Sequence, residues 1–224
     1  LKNELRKYRD ELIISSKAGY DMWNGPYGEW GSKKHIIASC DQSLKRMGLD
    51  YLDIFYSHRF DPNTPLEETA EALERIYKSG KALYIGISSY SAKKTEEMYK
   101  ILKSKKIKLF IHQPSYSLIN RWIEKGLTKT LIKNKIGCIA FSPIAQGMLS
   151  EKYFKGIPKK TRANDQNSYL DKNLITKKNI NIIKDLNIIA KKRGQTLSQM
   201  AISWVLNNKA VTSALIGIRS VNQL

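Results

Sequence analysis

Short apolar runs rich in Ile, Leu and Phe alternate along the chain with segments whose hydrophobic residues recur every three or four positions. The runs predict six strands: Glu11 to Ser16, Leu52 to Ser57, Leu83 to Ser88, Leu109 to Gln113, Gly137 to Phe141 and Ser213 to Gly217. Most are nearly continuously apolar, the pattern of parallel strands covered on both faces. Between them, Ile36, Ile37, Cys40, Leu44 and Met47 share one face of a predicted helix. Pro65 ahead of Leu66-Glu67-Glu68 opens another helix, Gly80 is placed to end it, and Ser91 caps the next. In the segment Ser198 to Asn207, Met200, Ile202, Trp204 and Leu206 are too closely spaced for a narrow stripe, so burial on most sides is expected. The stretch Tyr153 to Asn173, rich in Lys, Asn and Asp, reads as a long loop over one face.

Alternation of strand and helix from end to end predicts an α/β fold of repeated βα units around a parallel sheet, one domain over residues 1–224. A closed barrel takes eight such units and typically about 250 residues. Six units therefore predict an incomplete (β/α)8 TIM barrel. Leu1 to Arg9 reads as the end of a helix feeding the first strand, and no amphipathic helix follows the last strand before Leu224. The expectation is a barrel lacking its first units and its final helix.

Composition narrows the function classes. At 224 residues and 42% hydrophobic, the chain can bury a sizeable core. No apolar stretch approaches the roughly 18 residues that cross a membrane, and the start lacks a signal-peptide layout, so a cytoplasmic protein with no membrane partner is expected. Cys40 and Cys138 lie far apart without metal-ligand spacing, which leaves two buried thiols and no metal site. The net charge of +19 raises nucleic acid as a partner. Its lysines are spread over helix-like segments without an aromatic-interleaved basic stretch, so no nucleic-acid binding is expected. The charge instead favours anionic small molecules, such as phosphorylated cofactors and substrates.

Two predicted strands run into polar residues that could converge on one carbonyl: Ser15-Ser16 into Lys17, and Tyr56-Ser57 into His58. Taken alone, Lys17 reads as a solvated lysine, and His58 reads equally as a hydrogen-bonded strand-end histidine. The motifs around them change that weighting. Ile14-Ser15-Ser16-Lys17-Ala18-Gly19, Leu49 to His58, Gly86-Ile87-Ser88-Ser89-Tyr90-Ser91, His112-Gln113-Pro114-Ser115-Tyr116, Phe141 to Gly147, and Ile216-Gly217 occur in order, each at a strand end. In these six motifs the sequence resembles the aldo-keto reductases, over essentially its whole length. Gly19-Tyr20-Asp21-Met22-Trp23 and Gln113-Pro114-Ser115-Tyr116-Ser117 are most similar to the branch that holds bacterial glyceraldehyde 3-phosphate reductases and potassium-channel β subunits.

The resemblance implies hydride transfer from NADPH to a small carbonyl compound, such as glyceraldehyde 3-phosphate or methylglyoxal. It makes Lys17 and His58 catalytic, two of a set of Asp, Tyr, Lys and His. The Asp and Tyr belong to a motif upstream of the Lys strand, and Tyr8, Tyr20 and Asp10 do not sit in that motif. It makes Ser88 and Gln113 the holders of the nicotinamide carboxamide, Ser89 a further nucleotide contact, and Phe141 the ring that stacks on nicotinamide, with core packing as the alternative. Ser142, Pro143, Ile144, Ala145, Gln146 and Gly147 match the loop around the pyrophosphate, and Lys152 and Arg162 would add positive charge to phosphates. Gly217, Arg219 and Gln223 fall at the adenosine end, where a guanidinium could pair with a 2′-phosphate. His35 and His112 are read as structural. Trp23, Tyr27 and Trp30 are expected at the pocket mouth, and Arg59 is a candidate for a substrate phosphate.

Three alternatives follow from the resemblance. The chain reduces aldehydes, it serves as a cofactor-sensing module like the channel β subunits, or these 224 residues alone neither fold stably nor turn over substrate. No measurable turnover is expected from the 224 residues alone. A homo-oligomer is compatible with all three.

Overall fold

The structure, a computed structural model, describes residues 6–154, 156, 175–218 and 221. The chain divides into two compact units. One holds the residues up to Pro114 together with Ile123–Cys138, and the other holds Ser115–Trp122 with the residues from Ile139 onward.

The first unit contains strands β1 (Ser15–Ala18), β2 (Leu52–Ser57), β3 (Ala82–Ser88) and β4 (Leu109–Gln113), and the beginning of β5 (Gly137–Phe141). Each pairs in parallel with the next in chain order, Lys17 opposite Tyr56, Tyr56 opposite Gly86, and Ser88 opposite Gln113. Such connections require a crossover of a dozen or more residues, and helices supply it. These are α1 (Lys33–Met47), α2 (Leu66–Lys78), α3 (Ala92–Ser104) and α4 (Leu127–Lys133). Helix α1 begins where the Ser32 hydroxyl accepts the His35 N–H, and it ends at Gly48, whose φ of 64° lets its N–H reach the last carbonyls. Its Ile36, Cys40 and Leu44 are buried at helical spacing, as are Leu66, Ala70, Leu73 and Ile76 of α2. Strand β2 is buried on both faces except at Asp53. Strand β3 departs from that expectation at its start, where Leu83 and Tyr84 are exposed and the Tyr84 ring stacks on Phe110 with centroids 4.3 Å apart.

In the second unit, the remainder of β5 pairs in parallel with β6 (Ser213–Leu215). Its core packs Met148, Leu149 and Tyr153 against Ile183 and Ala190 of α5 (Lys177–Lys192) and Leu197, Met200 and Ala201 of α6 (Leu197–Leu206). Thr196 and Gln199 form a reciprocal capping box at the start of α6. The buried residues of α6, namely Leu197, Met200, Ala201 and Val205, form one narrow stripe, while Leu206 is exposed. The expected burial of this helix on most sides is therefore corrected. One face meets the core and the other faces solvent.

Six parallel strands in chain order, linked by helices, are the connectivity of a (β/α)8 barrel with six of its eight strands among the described residues. Four strand bounds differ from expectation. β6 ends at Leu215 rather than Gly217, β3 begins at Ala82 rather than Leu83, and β1 runs from Ser15 to Ala18 rather than from Glu11 to Ser16, because Arg6–Glu11 form 3-10 turns. Arg9 explains the late start of β1. Its guanidinium donates to the Leu12 and Tyr51 carbonyls and pairs with Asp53 at 2.9 Å, and the Asp53 carboxylate takes the Ile14 N–H. Side chains thus hold the segment ahead of Ser15, and Ile13 is left exposed. Lys17 consequently lies inside β1 rather than just beyond it.

Candidate active site

The first unit brings five of the expected site residues to the C-terminal ends of its strands: Lys17 in β1, His58 just after β2, Ser88 at the end of β3, Ser89 next to it, and Gln113 at the end of β4. Backbone bonds fix their spacing. The His58 N–H donates to the Ala18 carbonyl at 2.8 Å, and the Ser89 N–H donates to the Gln113 carbonyl at 3.3 Å. The Ser88 hydroxyl donates to that same carbonyl at 2.7 Å, which leaves its oxygen able to accept. Ser89 has a φ of 58°, a strained conformation for a residue with a Cβ.

Burial governs the charges here. It holds the Lys17 amine below its ordinary range. Burial first, and then the Lys17 and Arg59 charges, hold the His58 imidazole down to about 4. His58 is therefore neutral at physiological pH and carries one ring N–H that can donate to a carbonyl oxygen. The Lys17 Nζ lies 5.4 Å from the centre of the Tyr56 ring. Tyr56 is fully buried, and burial pushes its phenol up to about 12. The position opposite it on β3 must be glycine, since a Cβ on Gly86 would lie 2.5 Å from two carbons of that ring.

Arg59 is already committed. Its Nε donates to the Gly19 carbonyl at 2.7 Å, its terminal nitrogen pairs with Glu29 at 2.8 Å, and its guanidinium stacks on Trp30 and Tyr20. It pins both ends of the Gly19–Gly31 loop, so a role for it at a substrate phosphate has no support in the geometry. The Tyr20 ring meets His58 edge-on, with centroids 4.6 Å apart. Trp23 packs on His35, and Lys34 lies over the Tyr27 ring. His35 and His112 are buried and bonded to the Tyr27 and Tyr90 carbonyls, as expected of structural histidines. Sequence reading missed Tyr56 and the clamp by Arg59. The signal for Tyr56 was the lone glycine, Gly86, within an apolar strand, which marks close approach by a neighbour.

In the second unit, Phe141 ends β5 half-buried, and the chain turns through left-handed backbone at Ser142, Ala145, Gln146 and Gly147. Two turns close it, Ala145 N–H to the Ser142 carbonyl and Gly147 N–H to the Ile144 carbonyl. Pro143 is buried, and Ile144 and Ala145 pack on the unit's core, which holds these unfavourable φ values in place. Left-handed backbone of this kind recurs in anion-binding turns. Lys152 and Gly217 are exposed. Arg162, Arg219 and Gln223, with most of the Tyr153–Asn173 stretch, lie outside the described residues. Among the described residues, no cluster of His, Cys, Asp and Glu is placed to hold a metal ion, and no helix is long and apolar enough to cross a membrane.

Comparison with known proteins agrees with this fold. Residues 1–224 match the pattern of the Aldo/keto reductase family. The L-glyceraldehyde 3-phosphate reductases of Escherichia coli (strain K12) and of Escherichia coli O157:H7 are each 55% identical over 228 residues. That alignment covers 100% of this chain and 66% of each relative, so the chain spans a little under two thirds of their length.

Proposed function

The chain belongs to the aldo/keto reductase family, and we propose that the whole protein reduces the carbonyl of a small aldehyde with a hydride from NADPH. The observation that carries this reading is Lys17 and a neutral His58 at the C-terminal ends of adjacent parallel strands, with buried Ser88 and Gln113 at the next two strand ends. When bound, the cofactor supplies the hydride. Ser88 and Gln113 hold its carboxamide and so select the ring face that meets the substrate. Ser89 adds a contact beside them. Phe141 offers a ring face for stacking, and the Ser142–Gly147 backbone, with Lys152, takes the diphosphate.

Within the site, His58 orients the substrate carbonyl by donating its ring N–H to the oxygen. The Lys17 ammonium stabilises negative charge that develops on that oxygen, and low solvation strengthens the effect. The Asp and Tyr of the family set have no counterpart in the motifs of residues 1–224, and the proton that completes the alcohol comes from water or from a group outside these motifs. Similarity to the glyceraldehyde 3-phosphate reductases favours a phosphorylated small aldehyde, with methylglyoxal as a related carbonyl, and the charge of +19 favours anionic substrates. Cys40 and Cys138 are buried and not joined in a disulfide, which suits a reducing compartment, and we place the reaction in the cytoplasm.

The test is NADPH oxidation by the intact gene product with glyceraldehyde 3-phosphate or methylglyoxal. Turnover that responds to substitution of His58 supports the enzyme. Tight NADPH binding without turnover of either aldehyde contradicts it and favours a cofactor-sensing module.

A further inference from the structure

Tyr56 places a hydroxyl in the interior of the first unit, opposite Lys17 of β1 and two residues before His58. Its ring is tightly enclosed. The side chain has no exposed surface, the Gly86 backbone lies against two of its carbons, and Ile111 closes in on the same spot. No atom among the described residues meets the hydroxyl with hydrogen-bond geometry. Tyr56, Gly86 and Ile111 lie in one row across β2, β3 and β4, and Gln113 follows Ile111 two positions along β4, on the same face, so the ring reaches across Gly86 toward the Gln113 side chain, which also tends to lower a phenol that burial raises. A buried hydroxyl left unpaired is costly, and of the two groups only the amide, on its flexible stem, can move to complete the bond. Lys17 stands over the same ring, so the groups proposed for chemistry and for cofactor orientation meet on one buried side chain.

We propose that Tyr56 is a positioning residue for the cofactor, whose hydroxyl pairs with the Gln113 amide and fixes how that amide meets the nicotinamide carboxamide. This rests on the reading of Gln113 given under Proposed function. Completion of the Tyr56–Gln113 bond and capture of the carboxamide then favour each other, since both need the amide in one orientation. Gly86 serves the same device by leaving room for the ring.

The experiment compares NADPH dissociation constants and melting temperatures for the intact gene product and its Tyr56→Phe, Gln113→Ala and doubly substituted variants. Tyr56→Phe keeps the ring and removes only the hydroxyl. Its dissociation constant is expected to rise about fivefold, the worth of one ordinary hydrogen bond. Its melting temperature without cofactor should not fall, because the lost hydroxyl lacked a good partner. Gln113→Ala should also weaken binding, and the double variant should lose no more than Gln113→Ala alone. Unchanged affinity in Tyr56→Phe, or losses that simply multiply in the double variant, would overturn the positioning role while leaving the proposed function intact. Failure of the unsubstituted protein to bind NADPH would overturn both.

Discussion

His58 donates its backbone N–H to the carbonyl of Ala18 at 2.8 Å, one residue past Lys17. The register of two parallel strands, rather than any side-chain bond, therefore sets the separation of the two proposed catalytic groups. The imidazole and the amine share a partly buried space in which burial disfavours both charges and the Lys17 amine further disfavours the charged imidazole.

That shared burial has a pH signature. His58 and His112 are both held down to about 4, against about 6.5 for an unperturbed histidine, with burial the main cause at each. Between those values the unfolded chain binds more protons than the folded one. Stability should be fully present above about pH 6.5 and fall as pH drops toward 4. Histidine ring resonances followed by NMR should show both midpoints near 4. A His58 midpoint near 6.5 would mean that the imidazole is solvated.

Gly86→Ala tests the close approach of β3 to Tyr56. The new methyl would lie 2.5 Å from two ring carbons and 3.0 Å from Ile111. Overpacking of this kind costs about 1–3 kcal/mol. Urea unfolding should show that loss, and Tyr56→Leu in the same chain should restore part of it.

Arg59→Ala should release the Gly19–Gly31 loop. Removing the guanidinium leaves Glu29 without this partner and Tyr20 without its stacking cation, and Tyr20 is the ring set against His58. Hydrogen exchange across residues 19–31 is expected to accelerate severalfold, and the exchange of α3 should not change. The loop should respond in the same way to Arg59→Lys, because lysine reproduces neither the bidentate reach nor the stacking.

Strands β2, β4 and β5 were legible in full because each is an apolar run bounded by turn or polar residues. β1 was not. Leu12-Ile13-Ile14 reads as strand by propensity, but contacts from Arg9 and Asp53, dozens of residues apart in sequence, decide the backbone there. The same gap explains the site. Lys17, His58, Ser88 and Gln113 stand out as polar residues at the ends of apolar runs. Tyr56 is one apolar residue among several, and only the fold shows which ring abuts a glycine and which faces a neighbouring amide. Arg59 was visible as a charge, but its commitment to Gly19 and Glu29 depends on the loop's path. α6 was misjudged because closely spaced apolar residues do not reveal which face the neighbouring elements cover.

The most direct measurement follows deuterium from [4-2H]NADPH into the carbonyl carbon of glyceraldehyde 3-phosphate, using the intact gene product and its Lys17→Met variant. The account predicts label in the product alcohol. It also predicts a rate at least about a hundredfold lower in Lys17→Met, with NADPH affinity changed only a few-fold. Absence of label with the unsubstituted protein, or an undiminished rate in Lys17→Met, would contradict it.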